Sequence, residues 1–235
     1  MREPKHIDCE MCAIRSICFP GRIATDTQGH SNVVRIRRAH VAQNHVLYRC
    51  GDQARSFYML RSGCMKEIDC SGAEHSSVAN FCLPGELLSL HSAGDKRLSS
   101  TSIAIEGTSY CEMRWHDFYQ VCVEAPDVVA EFIRLLAKSS AASLELINMI
   151  RRKEALERVA GFLLNISDRL QFRGLHKREF KLSMSRADIA TYLGLTNETV
   201  SRCMSELARR ELIHVQAKRI QLLHVTDLQQ LYSSG

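Results

Sequence analysis

The sequence predicts an α+β protein: an N-terminal antiparallel β jelly roll, then a long helix, then a C-terminal winged helix-turn-helix. Three observations lead there. Short alternating or apolar runs punctuated by turn residues extend from Val33 to about Trp115; residues 127–160 contain neither Gly nor Pro; and two capped helices flank a Gly turn between Ser183 and Leu223. Runs of the first kind form half-buried strands, whereas an unbroken stretch rich in Leu, Ala, Glu and Ile favours helix.

The composition supports this class and removes others. With 235 residues, 45% hydrophobic and 24% charged side chains, and only 12 Gly and 4 Pro, the chain has the balance of two modest folded domains rather than of a disordered or collagen-like protein. Its ten cysteines spread from Cys9 to Cys203 in a chain large enough to bury a core without crosslinks, so a disulfide-stapled secreted domain is a poor reading. Met1 to Glu10 contains no apolar signal core, and the apolar stretch after Val128 is broken by Glu131, Arg134 and Lys138. A soluble cytoplasmic protein without a membrane partner is expected. Thiols stay reduced there, and clustered cysteines then point to metal or redox chemistry. An enzyme is not expected: no acid, base and nucleophile constellation is legible, and His6, His30, His40, His45, His75 and His91 lack metalloenzyme spacing.

Charge divides unevenly. Residues 1–150 hold 16 basic against 17 acidic side chains, whereas residues 151–235 hold 15 against 9. All of the positive excess lies in the last third, the electrostatic footprint of a nucleic-acid-binding domain attached to a roughly neutral one.

Taken in order, the strand region has runs such as Phe57 to Leu60 and Ser102 to Ile105, separated by turns at Gly51-Asp52, Ser62-Gly63, Ser71-Gly72, Pro84-Gly85 and Gly94-Asp95. After Pro126 a helix of about 24 residues, roughly 36 Å long, is expected to break near Arg151, Arg152 and Lys153. Two stripes run along it: Phe132, Leu135, Ala142, Leu146 and Met149 on one face, and Ile133, Leu136, Ser140, Ser143, Ile147 and Ile150 at the spacing of a coiled-coil seam. Either one stripe packs on the sheet domain and the other on a second copy, or both are buried within one chain. Glu145 lies beside the seam, where desolvation of its carboxylate would oppose tight pairing.

In the C-terminal third, Ser185 is a plausible N-cap for a helix over Arg186 to Leu193, and Gly194 follows as its terminator. A second helix starts at Thr196, another N-cap type, and runs through Ala208; Ile213 to Val215 and Ile220 to Leu223 then form a hairpin wing. The second helix of such a pair lies in the DNA major groove. Glu198, Ser201 and Arg202 share one face near its start, beside Thr196 and Asn197. Arg can donate two hydrogen bonds to guanine, Glu can accept from cytosine, and Ser can reach a base or phosphate.

Residues 180–212, FKLSMSRADIATYLGLTNETVSRCMSELARREL, resemble the DNA-binding domain of Crp/Fnr bacterial transcription regulators, including its Glu-x-x-Ser-Arg reader at Glu198, Ser201 and Arg202. The resemblance extends back through Ala155 to Ala160 and the long helix to Gly63, Pro84, Gly85 and Glu86, covering nearly the whole chain. It implies a cyclic-nucleotide-binding-like roll at 31–125, a dimerisation helix at 126–153 and a DNA-binding domain at 154–235. It also implies a homodimer on double-stranded DNA, palindromic half-sites resembling TTGAT, and RNA polymerase as a partner.

Cys9, Cys12 and Cys18 put three thiols within ten residues ahead of the roll. Such soft ligands suit zinc or an iron-sulfur cluster, with a remote fourth ligand. The spacing is similar to the cluster-binding N-terminus of the Fnr branch, here at residues 1–30, whose resemblance implies a 4Fe-4S cluster, oxygen sensing and control of anaerobic genes. Cys50, Cys64, Cys70, Cys82, Cys111 and Cys122 are candidates for the fourth ligand, and the likeness of Ala104 to Glu112 to the family segment that ends in its central ligand selects Cys111. The others, with Cys203, are expected to be packed or incidental thiols. The alternative is a Crp-like regulator controlled by a cyclic nucleotide or other small effector. Gly85-Glu86 matches it, but Arg97 is followed by bulky Leu98 where the phosphate cradle has a small residue.

Overall fold

The computed structural model describes residues 9, 12–15, 17–19, 36–70, 77–93, 97–171 and 178–233. The expected turns at Ser71-Gly72 and Gly94-Asp95, and most of the N-terminal segment 1–30, lie outside the described residues. The chain divides into two compact units, residues 1–139 and 140–235.

In the first unit eight strands form two antiparallel four-stranded sheets. One runs β1 (Ile36–Val41), β8 (Thr108–Arg114), β3 (Ser56–Ser62), β6 (Leu87–Leu88); the other runs β2 (Val46–Tyr48), β7 (Ser100–Ala104), β4 (Met65–Asp69), β5 (Val78–Cys82). Alternation along each strand decides what faces inward. Val41, Tyr48, Leu60, Met65, Cys82, Leu88, Ala104 and Tyr110 meet between the sheets and form the roll's interior.

The opposite face of the first sheet is also buried. Phe57, Met59, Cys111 and Met113 lie on it beneath Cys18, Phe19, Trp115, Phe118, Val128 and Phe132. This cover includes a helix the sequence reading did not separate, α1 (Trp115–Glu124), which ends before Pro126. Proline restricts the residue before it away from helical angles, which accounts for the break. The strand β3 therefore reads as a nearly continuous apolar run, because both of its faces are covered. At the β3–β4 turn, Gly63 has φ +86°, and a Cβ there would meet Thr108 Oγ1 and lie 2.7 Å from Gly107 O, so both conformation and space require glycine.

The long helix is α2 (Pro126–Arg152), 27 residues against the 24 expected, and α3 (Ala155–Gln171) follows after a break at Lys153-Glu154. In the second unit α3 is followed by β9 (Glu179–Lys181), α4 (Arg186–Leu193), α5 (Asn197–Arg209), β10 (Ile213–Gln216), β11 (Arg219–Leu222) and α6 (Val225–Ser233). The wing carries a third strand that the sequence reading lacked: the sheet order is β10-β11-β9, and the hairpin turns through Ala217 at φ 53°. Leu163, Ile166, Ile189, Leu193, Leu207, Ile213 and Ile220 form its fully buried centre. Gly161 makes room for the Tyr232 ring, 2.5 Å from where a Cβ would stand.

Candidate nucleic-acid interface and metal centre

Local signals build the helix-turn-helix. Ser185 accepts from the Asp188 backbone N–H at 3.0 Å, and Asp188 accepts in return from the Ser185 N–H, a reciprocal cap that satisfies two otherwise orphaned donors. Gly194, at φ 64° and ψ 40°, ends α4 in the left-handed conformation. Arg158 adds a cap from outside, donating to Leu193 O at 3.2 Å and to Lys153 O at 2.9 Å. Thr196 then opens α5 by accepting from the Thr199 N–H at 3.1 Å.

The face of α5 follows from its period. Val200, Cys203, Met204 and Leu207 are buried, while Asn197, Glu198, Ser201 and Arg202 are exposed. Glu198 and Arg202, four apart, could have formed only a surface ion pair, but among the described residues they form none. Arg202 instead directs Nη2 toward the Thr199 hydroxyl at 3.4 Å. The same exposed side continues through Ser205 to Arg209, which with Ser201, Arg202 and Glu206 line a shallow open depression. Ser205 and Arg209 were not singled out from sequence, although the i, i+4 spacing from Ser201 would have reached both. Arg209 and Arg210 hold the Glu206 carboxyl at about 2 through their hydrogen bonds. Thus Glu206 stays ionised and offsets part of the positive charge there.

The cysteine site is assembled differently. Cys111 stands on the outer face of β8, opposite Arg38 of β1 and Met59 of β3 in the sheet register. Cys18 is buried in the same apolar cluster, 5% exposed, and Phe19 beside it meets Phe132 of α2 with ring centroids 5.6 Å apart. Burial pushes the Cys111 thiol up to about 11; Arg61 and Arg38 oppose this, while Cys9 and Cys12 lie close enough to push it further. Burial also disfavours the Cys12 thiolate, but the Ile14 N–H and then the Arg61 guanidinium outweigh it and lower that thiol's pKa. Arg61 Nε is buried without a hydrogen-bond partner.

Cys122 packs against the same cluster from α1, but burial alone raises its pKa, with no contribution from Cys9 or Cys12. Arg38 and Arg61 escaped the sequence reading. The signal was the period-2 run Phe57, Met59, Arg61, which puts a cation on an otherwise apolar covered face. The donor chemistry fits an iron-sulfur centre: four thiols share one neighbourhood, and two guanidinium groups are there to offset an anionic thiolate set. Among the described residues no three Cys, His, Asp or Glu side chains are already gathered as a ligand shell. The fit therefore rests on donor type and neighbourhood.

Other expectations need correction. Cys50 and Cys70 are not packed thiols: they are joined as a disulfide between exposed residues. Their strand ends converge in the fold, which spacing in the sequence does not reveal. Cys64, Cys82 and Cys203 are buried thiols outside any disulfide. On α2, Ile133 and Ile147 are exposed, as are Ser140, Ser143 and Glu145, but Leu136 packs partly into the cluster under Phe132, and Ile150 is half-buried. Leu144, 59% exposed, continues the apolar row where Ser143 was expected to. The real helical period of 3.6 drifts off a 3-4 seam along a helix of this length. Ala142, assigned to the packing stripe, is exposed.

Arg97 and Leu98 are both engaged within the roll. Arg97 Nη1 donates to Gly51 O at 2.7 Å, Leu98 is 5% exposed inside the roll, and Glu86 accepts from the Leu83 N–H at 2.9 Å. Deeper in the roll, buried Glu67 accepts from Tyr48 Oη at 2.6 Å, Asn80 Nδ2 at 3.1 Å and Ser100 Oγ at 3.2 Å. No helix among the described residues is long and apolar enough to cross a membrane.

Comparison with known proteins bears on both units. Residues 157–231 match a Crp-like helix-turn-helix domain, and residues 38–125 match a cyclic nucleotide-binding domain. The fumarate and nitrate reduction regulatory protein of Vibrio cholerae serotype O1 is 30% identical over 96% of this chain and 90% of its own length. The anaerobic regulatory protein of Haemophilus influenzae is 30% identical over 96% of this chain and 88% of its own. Among solved structures, FixK2 from Bradyrhizobium japonicum superposes with a TM-score of 0.75 at 25% identity, covering 84% of this chain and 97% of that one.

Proposed function

Because the chain belongs to the Crp/Fnr family of transcription regulators, we propose that it is an oxygen-responsive member. In this reading it acts in the cytoplasm and binds palindromic, TTGAT-like double-stranded DNA as a homodimer. There it works with RNA polymerase to control anaerobic genes. Its 4Fe-4S cluster is held by Cys9, Cys12, Cys18 and Cys111. The observation that carries the reading is the meeting of the N-terminal thiols with Cys111 under the start of α2. The names of two relatives, a fumarate and nitrate reduction regulatory protein and an anaerobic regulatory protein, agree with it.

When bound, an iron-sulfur cluster supplies iron–thiolate links that oxygen can break. The chain's own residues give such links a consequence. Cys18 and Phe19 anchor the N-terminal segment on the sheet, and Phe19 touches Phe132, so a hold on that segment is a hold on the first turns of α2. The same helix carries the exposed row Ile133, Ser140, Leu144 and Ile147, an apolar face suited to pairing with a second copy. Arg38 and Arg61 stabilise thiolates beside Cys12 and Cys111. On α5, Glu198, Ser201 and Arg202 read base edges, while Thr196 and Asn197 sit at the helix start, where backbone N–H groups favour phosphate. Bulky Leu98, buried beside Arg97, speaks against a cyclic nucleotide.

Anaerobic purification with iron and acid-labile sulfide analysis tests the proposal. About four of each per chain are expected, lost together with specific DNA affinity on exposure to air. An iron-free product from cells competent in cluster assembly sinks it.

A further inference from the structure

The cysteines outside the proposed cluster set are not equivalent. Cys64, Cys82 and Cys203 are buried. Cys50 and Cys70 are exposed and joined, with Cα atoms 6.1 Å apart across a sequence separation of 20. Cys50 lies in the turn after β2, and Cys70 directly follows β4.

The surroundings hold both partners without the bond. Cys50 N–H donates to Thr101 Oγ1 at 3.0 Å and Gly51 N–H to Leu98 O at 2.9 Å; Leu98 N–H donates to Asp52 O at 2.8 Å and Arg97 Nη1 to Gly51 O at 2.7 Å. Cys70 Sγ lies 2.8 Å from Ser99 O. In the disulfide that sulfur carries no proton, so the contact is not a hydrogen bond; the free thiol would donate there. Scission thus leaves the Cys50 turn tied to residues 97–101 and gives Cys70 a ready acceptor. An exposed pair whose two states are both accommodated can exchange without unfolding the roll.

We propose that Cys50 and Cys70 form a thiol–disulfide exchange site whose reactants are low-molecular-weight thiols and disulfides. A small thiolate attacks one protein sulfur, the S–S bond breaks, and the other cysteine leaves as a thiolate that takes up a proton. A second small thiolate attacks the small-molecule sulfur of the mixed disulfide and frees the remaining cysteine. Two electrons pass to the protein, and one small disulfide is released. In both states the Cys50 turn stays tied to residues 97–101. The site is independent of whether the N-terminal thiols hold iron.

The test equilibrates the full chain in glutathione buffers of stepped thiol-to-disulfide ratio, then acid-quenches, alkylates and quantifies each cysteine peptide by mass spectrometry. Cys50 and Cys70 should become alkylated together in one two-electron transition, identical in protein with and without iron. Cys50→Ser should leave Cys70 carrying glutathione in oxidising buffer. Amides of residues 97–101 should keep their hydrogen-exchange protection in both forms. Oxidation of the two at different ratios, full alkylation at every ratio, or a bond that survives the most reducing buffer overturns the exchange site. Loss of that protection in the reduced form overturns the accommodation of both states.

Discussion

The side chains proposed to face DNA in the C-terminal unit project from a single helix, from Glu198 to Arg209, and the cap that starts that helix, Thr196, acts within its first turn. The cysteine site of the N-terminal unit has no such economy. Cys111 comes from β8, Arg38 from β1, Arg61 from β3, Cys12 and Cys18 from the N-terminal segment, and their cover from α1 and α2. The first site can form wherever one amphipathic helix forms; the second exists only after three strands of one sheet have registered and its outer face has been covered. A sensor that must change state is better built the second way, because losing one tie disturbs several elements.

Four tests probe this contrast, from the largest effect down. Cys111→Ser should abolish iron binding, whereas Cys122→Ser in the same apolar cluster should retain it; anaerobic iron analysis of both variants would break the assignment if the losses were equal. Gly63→Ala should destabilise the roll by about 3 kcal/mol in urea unfolding, since a Cβ must enter a strained backbone position against Gly107 O and Thr108. A cost below that of removing a helix cap would mean that the roll is less determined by close approach than described. Arg202→Ala should cost about 1 to 3 kcal/mol of discrimination between a TTGAT-like site and random DNA. Titrations at matched salt would show an unchanged preference if the reading face is wrong. Ser185→Ala should remove only about 1 kcal/mol from the second unit, by loss of its reciprocal cap with Asp188, and thermal unfolding measures it.

Legibility followed the same division. Ser185, Gly194 and Thr196 could be recognised as caps because each acts on neighbours three or four residues away. Their geometry agrees with what those residue types favour. Ser205 and Arg209 follow from the same helical count, one and two i+4 steps beyond Ser201. In the roll, the turn at Gly63 was legible as a turn, but its reason, the approach of Gly107 and Thr108, comes from a strand far along the chain. The Cys50–Cys70 bond contradicted the expectation of packed thiols for the same reason: the end of β4 meets the β2 turn only in the folded roll. On α2 the apolar row was recognised, but its register was set by how Phe132 and Leu136 pack on the sheet, which brings Leu144 outward.

The sequence by itself determined the classes of element and the chemistry on offer: a basic C-terminal third with two capped helices, a long Gly- and Pro-free helix, and three closely spaced soft ligands at the N-terminus. Those depend on hydrogen bonds and periodicities that close within a few residues. Tertiary structure alone decided that Arg38 and Arg61 attend Cys111 and Cys12, and that Cys50 faces Cys70. Strand register and the covering of a sheet face join residues from distant parts of the chain, and no local preference encodes which of them will meet.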